Sequence, residues 1–204
     1  MENFLLTPAE QEVAYDANWI YLKNSIIEKV MLLMGRLQTE LATHAAAAGF
    51  PFPENCLEQG AKISKGERYQ ELPYVILDFP RYFSKERIFA FRTMFWWGHY
   101  FSCTLHLAGE IKTAYHAALV AGYPLLAAND FQVYTQEDPW YHDFENGNYR
   151  PVGTFTVDKW EAMVYRQDFI KLAKPFALNR WEKIIPDVAA AYAALLALLQ
   201  YKTG

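Results

Sequence analysis

Residues 74–107 constrain the fold of this chain more than any other segment. They contain short runs rich in aromatic and β-branched side chains, and the last run alternates apolar and polar residues. Such runs are typical of strands that are buried on at least one face. Trp97 and Gly98 suit a tight turn, because glycine accepts a positive φ. The segment predicts a three-stranded antiparallel meander, with one long bent strand over residues 88–107 as the alternative.

The N-terminal part of the chain predicts a long helix. Thr7 and Glu10 form a capping box around Pro8 at the first helical position. Apolar residues then recur every seven positions, which makes one apolar stripe along a helix: Val13, Ile20, Ile27, Met34 and Leu41. The pattern runs from residue 8 to about residue 48 and ends at Gly49. A helix of this length favours a break, near Asn24 and Ser25 or at Gly35.

The rest of the chain is divided by proline and glycine signals. We expect a loop over 49–73, a helix over 110–120, strands over 131–134 and 152–156 with a hairpin between them, and helices over 158–173 and 186–200. Strands and helices segregate along the chain, which disfavours a parallel βαβ layout. The sequence predicts a single α+β domain, residues 1–204, with an antiparallel sheet packed against the long N-terminal helix and the C-terminal helices.

Composition narrows the classes of partner. The net charge of −4 argues against nucleic acid, since duplex binding normally needs a basic face. No apolar stretch reaches the roughly 20 residues of a membrane span, and the first residues lack a signal-peptide pattern. We therefore expect no nucleic-acid partner, no membrane span and a cytoplasmic location. Cys56 and Cys103 are too few for a disulfide scaffold, so we expect reduced, structural thiols.

Charged and aromatic residues within 74–107 form the first candidate site. Its members are side chains that could contact a ligand: Asp78, Arg81, Arg92, Trp96, His99 and His106. Charges are rarely buried without a partner, so two arrangements are open. Asp78 and Arg92 form a buried ion pair, which is the more common arrangement, or Arg81 or Arg92 receives a small anionic ligand.

Histidines and acidic residues give weaker signals. The five histidines show no metal-binding spacing, so we expect no metal; a site would need distant residues, for example His106, His116 and a carboxylate from 137–145. The acidic, aromatic stretch 137–145 fits a solvated hairpin tip better than a cation site or a general base. No cofactor motif is present, so we expect no cofactor.

Two functional hypotheses follow. The first is a non-enzymatic module that binds a small ligand or a partner and forms a homodimer, suggested by the excess of aromatic residues, the alanine-rich last helix and the apolar stripe of the first helix. The alternative is an enzyme acting on a small anionic substrate. In that case Arg81 or Arg92 holds the anion, His106 serves as acid or base, and Asp78 orients one of them.

Overall fold

The computed structural model describes residues 4–53 and 55–200, and it has the predicted α+β architecture. The described helices are α1 Pro8–Tyr15, α2 Ala17–Ala48, α3 Gly109–Ala114, α4 His116–Ala121, α5 Tyr123–Ala128, α6 Val157–Arg166 and α7 Ile184–Leu199. The described strands are β1 Lys62–Tyr69, β2 Leu72–Phe83, β3 Ile88–Trp96, β4 Tyr100–Ala108, β5 Gln132–Tyr134, β6 Tyr149–Pro151 and β7 Phe169–Ala177. The predicted single domain, 1–204, includes residues 1–3, Glu54 and residues 201–204, which lie outside the described residues, and it stays a prediction.

Within the described residues, seven strands form one antiparallel sheet in the order β1-β2-β3-β4-β7-β5-β6. The predicted meander is confirmed as β2, β3 and β4, and Gly98 turns the chain at a φ of 75°. None of the helices in the described part of the chain combines the length and apolar character needed to cross a bilayer.

The sheet has one apolar and one mixed face, because side chains alternate along each strand. The apolar face carries residues such as Leu77, Phe91 and Leu105, and it packs with α2 and α7 in the main core. The opposite face carries polar and aromatic side chains. The segment between β5 and β6, residues 135–148, makes its hydrogen bonds to this face, and we call it the covering loop.

The first helix is interrupted at a different place from the one expected. α1 has the predicted capping box, with the Glu10 amide donating to Thr7 Oγ1 at 3.3 Å. The break falls at Asp16, which caps α2 by accepting from the Asn18 amide, and α2 then continues through Gly35 to a left-handed Gly49. The expected breaks near Asn24 and at Gly35 were wrong, because an N-capping side chain ends one helix and starts the next.

Residues 49–73 were expected to be a loop, and this was wrong for β1 and the start of β2 (Glu54 lies outside the described residues). β1 lies at the sheet edge and is largely exposed, so it lacks the apolar alternation of a buried strand. Charged residues on an edge strand disfavour edge-to-edge hydrogen bonding with a strand of another chain. Gly66 pairs with Tyr74 and leaves room for its ring, since a Cβ at residue 66 would lie 2.5 Å from Tyr74 Cζ.

The largest error concerns residues 158–173, which were expected to be one helix. α6 ends at Arg166, and Phe169–Ala177 forms β7, a strand in the interior of the sheet. Ile170 and Leu172 face the core, whereas Lys171 faces the covering loop. The sequence pattern did not predict this strand, because it contains Pro175 and the buried Lys171, and both residue types are rare in interior strands.

Two smaller expectations were adjusted by the structure, and a third was confirmed. The helix expected over 110–120 is two short helices, α3 and α4. The returning strand expected over 152–156 lies earlier, as β6, and a 3-10 helix follows at Val152–Thr154. Cys56 and Cys103 are free and buried, as expected, and burial raises the pKa of each thiol to about 12.

Candidate functional site

Asp78 and Arg92 form a buried ion pair on the mixed face of the sheet. They are directly opposite each other in the β2–β3 register. Arg92 Nε donates to Asp78 Oδ1 at 2.7 Å, and Arg92 Nη2 donates to Oδ2 at 2.9 Å. This two-bond geometry satisfies the carboxylate and fixes the guanidinium plane. The structure therefore has the paired arrangement, the first of the two that the sequence left open.

The remaining donor of Arg92 reaches the covering loop. Arg92 Nη1 lies 2.8 Å from His142 Nε2. A guanidinium only donates, so Nε2 accepts and His142 is neutral, with its proton on Nδ1. Burial, followed by the nearby charges of Lys171 and Arg92, lowers the pKa of His142 well below its ordinary value. His142 Nδ1 is itself buried without a hydrogen-bond partner.

A second set of hydrogen bonds holds the covering loop through Asp143. Its carboxylate is fully buried and accepts from Tyr69 Oη at 3.0 Å, Gln70 Nε2 at 2.8 Å and Asn148 Nδ2 at 2.7 Å. The Tyr69 hydroxyl also accepts from the amides of His142 and Asp143. Nearby, Tyr100 Oη accepts from the Phe144 amide at 3.0 Å. The loop is therefore attached to β1, to β4 and to the turn between β1 and β2.

Lys171 attaches the other half of the loop to β7. Its ammonium donates to the carbonyl oxygens of Pro139, at 2.9 Å, and Tyr141, and it lies 4.4 Å from the centre of the Tyr134 ring. Only 1% of this residue is exposed. Burial, and then the positive charge of Arg92, lowers the pKa of Lys171 to about 7. Sequence reasoning missed this lysine because it was assigned to a helix.

His106 lies next to Lys171, which is its partner in the β4–β7 register. His106 is 5% exposed, and its Nε2 is buried without a partner. Burial, followed by the charges of Lys171 and Arg92, lowers its pKa to about 3. The imidazole is therefore neutral near pH 7. Trp140 and Phe169 are in edge-to-face contact with it, with ring centres 6.1 and 5.7 Å away.

His106 also lines a cleft of about 560 Å³, which we call the His106 cleft. The β2–β3 turn, the end of β4, α3, the start of α4, the end of α6, the start of β7 and the covering loop surround it. Its lining residues are Ser84, Lys85, Glu86, Ile88, His106, Ala108, Gly109, Lys112, Thr113, His116, Pro139, Trp140, Tyr165, Gln167, Asp168 and Phe169. Gly109, at a φ of 63°, allows the walls to meet, since a Cβ there would overlap the Glu86 carbonyl oxygen.

Residues that line this cleft account for half of the buried, unpartnered side-chain atoms among the described residues. Among the described residues, six side-chain atoms are buried without a hydrogen-bond partner, and three of them belong to cleft residues: His106 Nε2, His116 Nε2 and Gln167 Oε1. Burial, and then the charge of Lys112, lowers the pKa of His116. Lys112 itself donates to the carbonyl oxygens of Val164 and, at 2.6 Å, Gln167. Three residues of the cleft lining thus have a polar atom with unused hydrogen-bonding capacity.

The six predicted site residues do not converge on one cavity. Asp78 and Arg92 satisfy each other, and Arg81 donates to the backbone carbonyls of Gln59 and Gly60 at 3.0 and 3.2 Å. Trp96 and His99 are stacked at the β3–β4 turn, with ring centres 3.6 Å apart, and Trp96 Nε1 donates to the Tyr69 carbonyl. Among the six, His106 alone lines the cleft described above. Whether the others contact a ligand stays a prediction.

No group of three or more His, Cys, Asp or Glu residues suited to a metal ion occurs in residues 4–53 and 55–200. His106 and His116 do line one cleft, as the hypothetical metal site required. No carboxylate from 137–145 lines it with them. Asp143 instead accepts hydrogen bonds from Tyr69, Gln70 and Asn148.

Comparison with known proteins found no family model that matches the chain and no significantly similar curated protein.

Proposed function

We propose that this protein is a non-enzymatic binding module whose small ligand occupies the His106 cleft. The observation that carries the proposal is that three residues lining one cleft each have a buried polar atom that makes no hydrogen bond within the protein: His106 Nε2, His116 Nε2 and Gln167 Oε1. Each buried polar atom without a partner costs about 1–3 kcal/mol. A ligand that becomes the partner of these groups, as their side chains turn toward the cleft, would remove that cost and favour an occupied cleft.

The lining indicates the chemistry of the ligand. The Gln167 amide oxygen accepts hydrogen bonds, so the ligand needs an N–H or O–H group, while each neutral imidazole nitrogen donates or accepts according to its tautomer. Two cationic residues, Lys85 and Lys112, are balanced by Glu86 and Asp168 in the same lining. Apolar walls complete the site, with Ile88, Trp140 and Phe169 among them. We therefore propose a small, uncharged, polar ligand with a flat apolar part.

The small anionic ligand considered from the sequence has less support. The guanidinium groups of Arg81 and Arg92 already donate to protein oxygens. The enzyme hypothesis also required His106 to serve as acid or base. With its pKa lowered to about 3, His106 is a weak base and is almost wholly deprotonated at neutral pH. These facts support binding over catalysis. The free, buried thiols of Cys56 and Cys103 support the cytoplasm as the proposed compartment.

A ligand-binding experiment with a chemically graded panel tests the proposal. Small uncharged amides and lactams, together with inorganic phosphate as the anionic probe, are titrated into the purified chain and followed by ligand-observed NMR. We expect amides to bind and Gln167→Leu to lose about tenfold in affinity, which corresponds to one lost hydrogen bond. Gln38→Leu, a half-buried glutamine on α2 outside the cleft, is the matched control and should bind as the wild type does.

Three outcomes would contradict parts or all of the proposal. Phosphate binding more tightly than every amide would overturn the uncharged ligand and favour the anionic one. Equal losses in Gln167→Leu and Gln38→Leu would remove the His106 cleft as the site. Failure of the whole panel to bind at millimolar concentration would contradict the proposal itself.

A further inference from the structure

The N-terminal segment of the chain presents a large apolar surface. We call residues 4–22, which comprise α1 and the first turns of α2, the N-terminal arm. The described helix α1 buries none of its residues. The exposed large apolar side chains of the arm include Phe4, Leu6, Val13, Tyr15, Trp19, Ile20, Tyr21 and Leu22. Together these residues expose on the order of 1,000 Å², given the size of such side chains. This area is distributed around the two helices, since consecutive residues of a helix point to different sides.

The arm continues the stripe that α2 uses to pack on the sheet. Ile27, Met34 and Leu41 are buried against the body of the protein. Ile20, seven residues before Ile27 on the same helix, is 47% exposed, and Val13, on α1 before the break at Asp16, is 52% exposed. The stripe of α2 therefore extends past the end of its own core, and the apolar residues of α1 precede it, so the arm is suited to pack against something outside the core.

A complementary groove lies beside the next turns of the same helix. It has a volume of about 640 Å³ and lies between α2 and β1, and we call it the α2–β1 groove. Its lining residues are Asn24, Ile27, Glu28, Met31, Leu32, Lys65 and Glu67, so it has an apolar floor and a charged rim. Leu32 is 71% exposed. The arm does not fill this groove in its own molecule, because none of its residues lines the groove.

Charge indicates the kind of partner. The arm contains three carboxylates, Glu10, Glu12 and Asp16, and no Lys or Arg. An anionic membrane surface is therefore disfavoured, because helices that lie on membranes are rich in basic residues. The groove lining itself carries Glu28, Lys65 and Glu67, and Glu67 is paired with Lys23. On the edge strand β1 beside the groove, the exposed cations Lys62, Lys65 and Arg68 outnumber the one exposed carboxylate, Glu67. The acidic arm and the net positive strand are complementary, and a single chain carries both.

We propose that two copies of this chain form a symmetric dimer in which the arm of each packs into the α2–β1 groove of the other. A two-fold axis makes the two contacts identical, as in the most common class of homo-oligomer. Because each copy contributes both an arm and a groove, the dimer has enough apolar surface for the roughly 800 Å² per partner of a standard stable interface. The alanine-rich α7 takes no part, because its apolar residues pack inside the core.

Light scattering on the full chain tests this dimer with three leucine variants. Leu22→Glu places a charge on the arm, Leu32→Glu places one in the groove, and Leu57→Glu is a control at an exposed leucine outside both surfaces. The wild type and Leu57→Glu should have the mass of two chains at micromolar concentration. Leu22→Glu and Leu32→Glu should each have the mass of one chain, with unchanged circular dichroism.

Mixing the two monomeric variants gives the sharpest result. The Leu32→Glu copy keeps a sound arm and the Leu22→Glu copy keeps a sound groove, so the mixture should regain a fraction with the mass of two chains. A mixture that stays monomeric overturns the arm-in-groove contact. A monomeric wild type, or a Leu32→Glu variant that remains dimeric, also overturns it, as does binding of monomeric wild type to vesicles of anionic phospholipid.

Discussion

Arg92 and Asp78 bind each other through two hydrogen bonds, of 2.7 and 2.9 Å, across adjacent strands of the sheet. The side chains are 16% and 7% exposed. This ion pair gives the centre of the mixed face a structural role. The Arg92 guanidinium binds both the Asp78 carboxylate and His142, so it links the sheet to the covering loop. In contrast, His106 Nε2 on the same face of the sheet is buried without a hydrogen-bond partner.

Breaking the ion pair on one side should be costly. Asp78→Ala leaves the Arg92 charge buried without its carboxylate, which typically costs about 3–5 kcal/mol of unfolding free energy. Asp187→Ala breaks a pair in which Arg180 is 48% exposed, and it should cost no more than about 1 kcal/mol. Urea unfolding of both variants measures the difference. Equal losses would show that the central pair is not an important support of the fold.

The covering loop should loosen when its tyrosine anchor is removed. Tyr69→Phe removes the hydroxyl that accepts from the amides of His142 and Asp143 and donates to the Asp143 carboxylate. We expect hydrogen exchange at those two amides to accelerate about 10- to 100-fold, as the loss of buried hydrogen bonds implies. Tyr82→Phe, which removes an exposed hydroxyl bound by Arg87, is the control. Unchanged exchange in Tyr69→Phe would contradict the anchoring role.

Lys171 should make the protein more stable as the pH rises from 7 to 9. Its pKa is about 7 in the fold and near 10.5 in the unfolded chain, so in this range the unfolded state binds more protons. The unfolding free energy therefore increases with pH, by up to a few kcal/mol. Lys171→Met should flatten this rise, whereas Lys174→Met, on the same strand, should keep it. Denaturant titrations of both variants at several pH values test this, and parallel curves would count against the lowered pKa of Lys171.

His106 should make the protein less stable as the pH falls below 6.5. Its imidazole is neutral in the fold, with a pKa of about 3, but takes up a proton near pH 6.5 in the unfolded chain. Stability is therefore lost as the pH falls below 6.5. His106→Phe should reduce this loss between pH 6.5 and 5, and His44→Phe, at a partly exposed histidine of α2, should not. The same acid slope in both variants would refute the neutral, buried state of His106.

The sequence predicted the meander and both ends of the first long helical region, because alternation and capping are local signals that residues 74–107 and Thr7 carry by themselves. It missed β7 because Lys171 is buried by contacts with a distant loop, which no local pattern reveals. His106 was among the predicted site residues, and His106 and His116 were considered together as ligands of a metal site. Gln167 and Lys112 were missed because their roles depend on how α3 and α6 meet.

The proposed ligand site is tested most directly by NMR of the histidine side-chain nitrogens. Uniformly ¹⁵N-labelled protein is titrated to saturation with the tightest-binding amide of the panel, and the imidazole signals are assigned through His106→Phe and His116→Phe. Occupation of the His106 cleft predicts that the Nε2 signals of His106 and His116 shift together while those of His44 stay fixed. Shifts confined to other histidines, or none at saturation, would contradict the site.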